Sequence, residues 1–539
     1  MVTTLKQKKV TPEAIEIINS VNVLTDRVKK RREEYRAAKD HICAERSRLV
    51  TQSWKETEGE PVVLRRAKLF RKIMEGLSIV IRDGELIVGS QTKYIRGASP
   101  YIDFSPKTVF EILSAQKPTT RGEVVEAVLT DEDRKNLLAD AEYWKGKSPG
   151  EVLTRQVEEI FGEQLDDYRK AHILMWHSEV SSTTRTIDYE KVINRGLNGV
   201  LAEIREELDK LDLSIRGSWQ KHQFLKAGII CCEAVINFAG RYARLAREMA
   251  DKETNVIRKK ELEKIAEICQ WVPANPARTF HEALQSFWFT HLVFNLESAG
   301  DGETPGRMDQ YLYPLYGKDI TEGRITRQEA AELFGCLWVK LNEMINVKAL
   351  SFMQAAMASQ FQDVTIGGIT QDGKDATNEL SFMLLEVTRQ MMMAQPPLYV
   401  RYHKDINEEL LIKAAETNRD NGSGNPAFLN DNPVILRLME RGVPLKVARN
   451  WMAGGCVGTF IPAAGKPAVV GAFLNNVKAF ELALYNGLEP VTGKQLGLAT
   501  GDPRDFKTYD ELYNAFMRQL KYLFGLALKL YRAGEEARG

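Results

Sequence analysis

One thiol stands out by its surroundings. Cys456 lies in Trp451-Met452-Ala453-Gly454-Gly455-Cys456-Val457-Gly458-Thr459-Phe460, with three glycines close by. Without a Cβ the chain there can turn sharply or come close to another segment or a ligand. Two uses of such a cysteine are open: a small hydrophobe in a core loop, or a reactive sulfur. A thiolate nucleophile would need a lowered pKa and an electropositive setting, and the segment offers no His or Lys beside the thiol. Arg401 and His403 form a second pair of interest. Two residues apart on a strand share a face, so the two could hold a carboxylate or serve as structural ion-pair partners. Arg307 and Asp309, in the turn-rich run Thr304 to Pro314, could pair with each other. The remaining histidines fall at no HExxH spacing, and neither GxGxxG nor a P-loop occurs.

The elements that must position these groups read as alternating helices and short strands. Residues 1–80 read as helix, and the run Lys29 to Glu34 reads as a solvated helix face. Glu85 to Ser90 reads as a short buried strand. Residues 130–170 and 195–270 are helical and charged, and an apolar helix follows from Thr279 to about Leu296. Strands are expected at Phe361 to Gly368, Pro397 to Tyr402 and Ala427 to Asn430, the last leading into a helix. Met383 and Met391 to Met393 suggest an adaptable core wall. Tyr509 to Arg532 reads as an amphipathic helix. Strands separated by long helices indicate an α/β architecture.

Composition narrows the function classes. Lys plus Arg number 74 against 73 Asp plus Glu in 539 residues, so no global field favours nucleic acid or an anionic membrane. The six cysteines form no CxxC pair, which argues against a disulfide framework or a cysteine zinc site and fits reduced thiols in the cytoplasm. The N-terminus lacks an apolar signal region, and no apolar run approaches the ~20 residues of a membrane helix.

Several segments, taken in order, resemble the glycyl radical enzymes, the family of pyruvate formate-lyase and its dehydratase, decarboxylase and lyase relatives. They are Tyr94 to Ala98 with Pro100-Tyr101, Asp188 to Val192, Asn275 to Phe280 with Glu282 to Gln285, Pro305 to Tyr311, Val364 to Gly368, Asp372 to Glu379, Asn430-Asp431 and Gly455-Cys456-Val457. The resemblance covers roughly residues 85 to 490. It implies a ten-stranded α/β barrel wrapped in helices, with 1–80 as a helical N-terminal part and 81–539 as the barrel domain. It also implies that Cys456, oxidised to a thiyl by a glycyl radical, abstracts hydrogen from a small organic substrate. No cofactor is expected to bind directly. The radical is expected on a C-terminal segment, installed by a radical SAM iron–sulfur activating enzyme. Homodimers are common in the family.

The sequence departs from the family pattern in two places. Nothing matches the C-terminal Arg-Val-Ser-Gly-Tyr loop that carries the radical, so the barrel reads as incomplete at its C-terminus. The chain then reads as a fragment, a frameshifted frame or a split subunit needing a companion chain. Alone it is expected to be inactive, and a non-catalytic remnant stays open as an alternative. Second, the eliminating members carry Cys-x-Glu with the glutamate as base, and Gly458 stands in that place here. That departure favours a decarboxylase-like lyase cleaving a C–C bond, with Arg185, Arg401 or His403 holding the substrate carboxylate. C–O or C–N elimination is the alternative.

Overall fold

The computed structural model describes residues 10–107, 109–110, 127–176, 183–297, 302–347, 357–455, 458–462, 468–469 and 472–538. Cys456 and Val457 lie outside them.

The expected helices form at Pro12–Ser20, Asp26–Ala37, Glu45–Glu56 and Val62–Gly76. Side-chain caps set two of the starts: Thr11 accepts from the Ala14 amide and Thr25 from Val28. The charged run is not a wholly solvated face. Arg31, three residues from buried Val28, shares its inner face and is itself buried. Its guanidinium reaches Glu343 at 3.1 Å and Glu85 at 3.4 Å, and Lys340 joins the same two carboxylates at 2.9 and 2.5 Å. The charges balance, as burial of four ionic side chains requires.

Residues 85–90 depart from the expected strand. The segment is buried but bends at Leu86 and Ile87, and side chains rather than a neighbouring strand satisfy its backbone. Gln285 accepts from the Val88 amide at 2.9 Å and donates to its carbonyl at 2.8 Å. Tyr242 accepts from the Ser90 amide, and Trp288 donates to the Gly89 carbonyl. These three residues come from the helices Ser218–Lys252 and Phe280–Glu297, which are buried in the main apolar core through Phe238, Tyr242, Leu284 and Phe287. The sequence reading of apolar runs also needs correction. Ser218–Lys252 is long enough, and apolar enough over one 18-residue window, to meet the criteria for a membrane span. In this fold its apolar stripe packs on Val62–Gly76 and Val256–Trp271.

The strands that matter for function are β1 (Thr183–Thr186), β2 (Gly302–Thr304), β3 (Val364–Gly367), β4 (Leu398–Tyr402) and β5 (Ala427–Asn430). β1 runs parallel to β2, and β3, β4 and β5 form a parallel sheet with β4 central. Parallel bridges Gly302↔Phe361 and Gly306↔Val364 join the two sets into one arc. The helices Glu379–Met391 and Glu408–Asn421 make the crossovers β3 to β4 and β4 to β5, as parallel neighbours demand. An antiparallel hairpin follows, β6 (Met452–Gly454) and β7 (Gly458–Phe460), in register Met452↔Phe460 and Gly454↔Gly458. This is the α/β barrel that the family resemblance implied.

The two-residue period of the strands sorts side chains onto two faces. Val364, Ile366, Leu398 and Val400 join the apolar core shared with the helices. Thr365, Tyr399 and Arg401, on the alternate positions, hydrogen-bond the β6 strand or its flanks. One face of the arc is therefore apolar and covered by helices, and the other is polar and holds the hairpin.

Candidate active site

The site is built around the turn between β6 and β7. The Gly454↔Gly458 pair leaves three residues to connect the strands: Gly455, Cys456 and Val457. Gly455 adopts φ +65°, a conformation that strains a residue with a Cβ. Three side chains from the arc meet three consecutive hairpin residues. Thr365 Oγ1 accepts from the Ala453 amide at 3.0 Å. Thr304 Oγ1 lies 2.8 Å from where a Cβ on Gly454 would stand. Asp363, two residues before Thr365 and on the same face, presents its carboxyl to the Gly455 amide. The Tyr399 hydroxyl donates to the Gly455 carbonyl at 3.3 Å. The backbone on the N-terminal side of Cys456 is thus held residue by residue.

Arg401 anchors the base of the same hairpin. Its Nε donates to Asp431 at 2.6 Å, Nη1 to the Trp451 carbonyl at 2.8 Å and Nη2 to the Arg449 carbonyl at 2.9 Å. Trp451 donates its indole N–H to the same Asp431 oxygen at 2.8 Å and lies under the guanidinium. Every nitrogen of Arg401 is engaged with protein. His403 lies elsewhere, 3.2 Å from Asp375 in the loop after β3. Arg185, on β1, donates to its cross-strand partner Glu303 at 2.5 Å, with Glu297 at 3.7 Å and the Phe294 ring below. The three side chains expected to hold a carboxylate thus sit at three separate places, each beside an acidic residue.

Arg307 and Asp309 do not pair as their spacing suggested. Arg307 donates to the Gly367 carbonyl at 2.9 Å and to Asn450 at 3.2 Å. Asp309 accepts from the Gly367 amide at 2.8 Å and from Ser381 at 2.7 Å. Each holds one side of the Gly367 peptide. Arg307 also lines a cavity of about 180 Å³ with Asp188, Glu190, Gln310, Tyr311 and Met452. Burial disfavours the charge on Arg307 and raises the Asp309 carboxyl. Nearby, buried His291 accepts or donates at 2.7 Å with Tyr189 and at 3.0 Å with Gln362. Gln362 donates its amide N–H to the Leu341 carbonyl, which turns its oxygen to the imidazole. His291 Nε2 is therefore the donor and Nδ1 accepts from Tyr189. Burial lowers the His291 pKa to about 4, so the ring is neutral at pH 7.

Gly458, where a carboxylate base stands in the eliminating pattern, has no room for one. A Cβ there would lie 2.5 Å from the Gly454 carbonyl oxygen and 2.7 Å from the Phe460 ring. Gly458→Ala is expected to destabilise the protein by about 1–3 kcal/mol through overpacking, read as a lower urea midpoint at unchanged slope. Gly458→Glu is expected to gain no elimination activity, because the hairpin must open to admit the side chain. An unchanged midpoint in Gly458→Ala would show that the pocket yields freely.

Thr304, Asp363, Thr365, Tyr399 and Asp431 stand within segments noted in the sequence, but nothing there singled them out as site residues. The alternation of β3 and β4 carries the signal, since it puts 363 with 365 and 399 with 401. The five other cysteines include Cys43 and Cys232, whose thiols burial pushes to about 11, and Cys231 and Cys336, pushed to about 12. Cys269 is raised for the same reason. None of these five is a thiolate at neutral pH.

A parallel arc that holds a glycine-rich hairpin on its polar face defines a class. The chain belongs to the pyruvate formate lyase-like family, whose model matches residues 22–537, and its barrel is that of the glycyl radical enzymes. It is 37% identical over 503 residues to an isethionate sulfite-lyase of Oleidesulfovibrio alaskensis, covering 90% of this chain and 60% of that protein. It is 33% identical over 511 residues to a trans-4-hydroxy-L-proline dehydratase of Clostridioides difficile, covering 94% and 63%. A solved structure from a study of 1,2-propanediol dehydration in Roseburia inulinivorans superposes with a TM-score of 0.88 at 36% identity, over 96% of this chain and 61% of the other. The chain spans about 60% of the length of the curated relatives it matches.

Proposed function

We propose that this chain is the catalytic-barrel portion of a glycyl radical lyase that eliminates a leaving group, water or sulfite, from a small hydroxylated substrate. The observation that carries the reading is the likeness, over 90% or more of the chain, to a sulfite-lyase and a dehydratase. It displaces the C–C cleavage that Gly458 alone suggested. That second reading keeps one support: the hairpin has no space for a carboxylate at 458.

In this account a glycyl radical segment, charged by a radical SAM activating enzyme, supplies the oxidising equivalent. The residues of this chain do the rest. Cys456 passes a hydrogen atom between itself and the substrate. Thr365 and Tyr399 fix the backbone that carries it, and Arg401 with Asp431 fixes the base of the hairpin. The test is anoxic turnover of the chain with a glycyl radical segment, in cis or as a companion chain, and the activating enzyme. Isethionate, 1,2-propanediol and hydroxyproline are offered beside arylacetates. Aldehyde or imine formation with release of sulfite or water supports elimination; release of CO2 from an arylacetate overturns it.

A further inference from the structure

Asp363 is an anomaly in a well-satisfied interior. Its side chain is fully buried, yet among the described residues neither carboxyl oxygen reaches hydrogen-bond geometry with a partner, the Gly455 amide that it faces included. Among the described residues no cation pairs with it. Its backbone is ordinary for the arc, the carbonyl accepting from the Gly306 amide at 3.0 Å. A buried polar group left unmatched costs stability, and the fold places this one facing Gly455, the residue before Cys456 in the chain. Lack of solvent raises its pKa well above the usual carboxylate range, with the Gly455 amide opposing the shift. Burial without a matched charge favours the protonated carboxyl, a form that can give a proton and take it back.

We propose that Asp363 is the acid–base group of this site, in the role for which Gly458 provides no side chain. The proposal rests on the elimination reading. After hydrogen abstraction the substrate is a radical on a hydroxyl-bearing carbon, next to the carbon that holds the leaving group. The C–O bond breaks as the leaving oxygen takes the Asp363 proton and departs as water. The hydroxyl of the radical carbon gives its proton back to the Asp363 carboxylate and becomes a carbonyl. The unpaired electron moves to the adjacent carbon, which recovers a hydrogen atom from Cys456. The carboxyl ends as it began, and no outside reductant or oxidant is consumed. For a sulfonate the same proton leaves on hydrogen sulfite.

Asp363→Asn keeps the shape and neutrality of the protonated acid and removes its proton transfer. In the activated protein, elimination by Asp363→Asn is expected to fall about 10²–10⁴-fold. The glycyl radical signal should stay at wild-type amplitude, and deuterium on the abstracted position should still exchange without product. Elimination at the wild-type rate in Asp363→Asn overturns the proposal and leaves the elimination reading standing. No elimination by wild type with the radical present overturns the elimination reading instead. Infrared difference spectroscopy of wild type against Asp363→Asn reads the carboxyl without turnover, and serves also if the variant folds poorly. A protonated-carboxyl C=O band at pH 7 is expected from wild type, and its absence overturns the proposal.

Discussion

Cys456→Ala in the activated protein is expected to abolish turnover, a loss of at least about 10³-fold, while the glycyl radical still forms. The expectation follows from what surrounds the turn. Gly454 and Gly458 pair without space for a Cβ, Gly455 takes a positive φ, and Thr365, Tyr399 and Asp363 hold or face the preceding backbone. A cysteine kept only to fill space would need none of this. Alanine removes the sulfur and leaves the backbone demands unchanged, so the fold should survive. Paramagnetic resonance and product analysis on one sample check both halves. Residual turnover above about a thousandth of wild type would show that another group abstracts the hydrogen.

Asp431→Ala is expected to be the most destabilising change near the site, at about 3–5 kcal/mol. Arg401 and Asp431 are fully buried, and removing the aspartate leaves the guanidinium charged with no ion-pair partner. The same carboxylate holds the Trp451 indole and the Ile369 amide, so the hairpin loses its anchor as well. The double variant Arg401→Met, Asp431→Leu should unfold at higher urea than Asp431→Ala, because it buries no unmatched charge. Urea unfolding of the three proteins checks this order. A cost below about 1 kcal/mol for Asp431→Ala would mean that water reaches the guanidinium.

Where strands and helices lie was legible wherever a residue pattern has a local cause. Ala427–Asn430 and the helix from Phe280 follow from β-branched or apolar runs bounded by turn residues. Residues 85–90 misled because a buried apolar segment becomes a strand only if a strand lies beside it, and here Gln285 and Tyr242 from distant helices supply the hydrogen bonds. Arg31 misled for a related reason: its partners Glu85 and Glu343 are far off in the chain, so a charged run gave no sign of burial. Arg401 was noticed for its charge, but its engagement with Asp431 and two carbonyls depends on how β4, β5 and the hairpin meet. Asp363 shows the converse. In sequence it is a polar residue within an expected strand, and only the closed interior reveals that its oxygens lack partners among the described residues.

The most direct test of the central claim follows deuterium in a single anoxic reaction. The chain, a glycyl radical segment and the activating enzyme are incubated with 1,2-propanediol deuterated at its hydroxymethyl carbon, and in parallel with isethionate deuterated at the hydroxyl-bearing carbon. The account predicts an aldehyde in each case, with water or sulfite released and some deuterium found on the neighbouring carbon, returned through Cys456. Persistent radical with no aldehyde from either substrate, together with CO2 from an arylacetate, would contradict it.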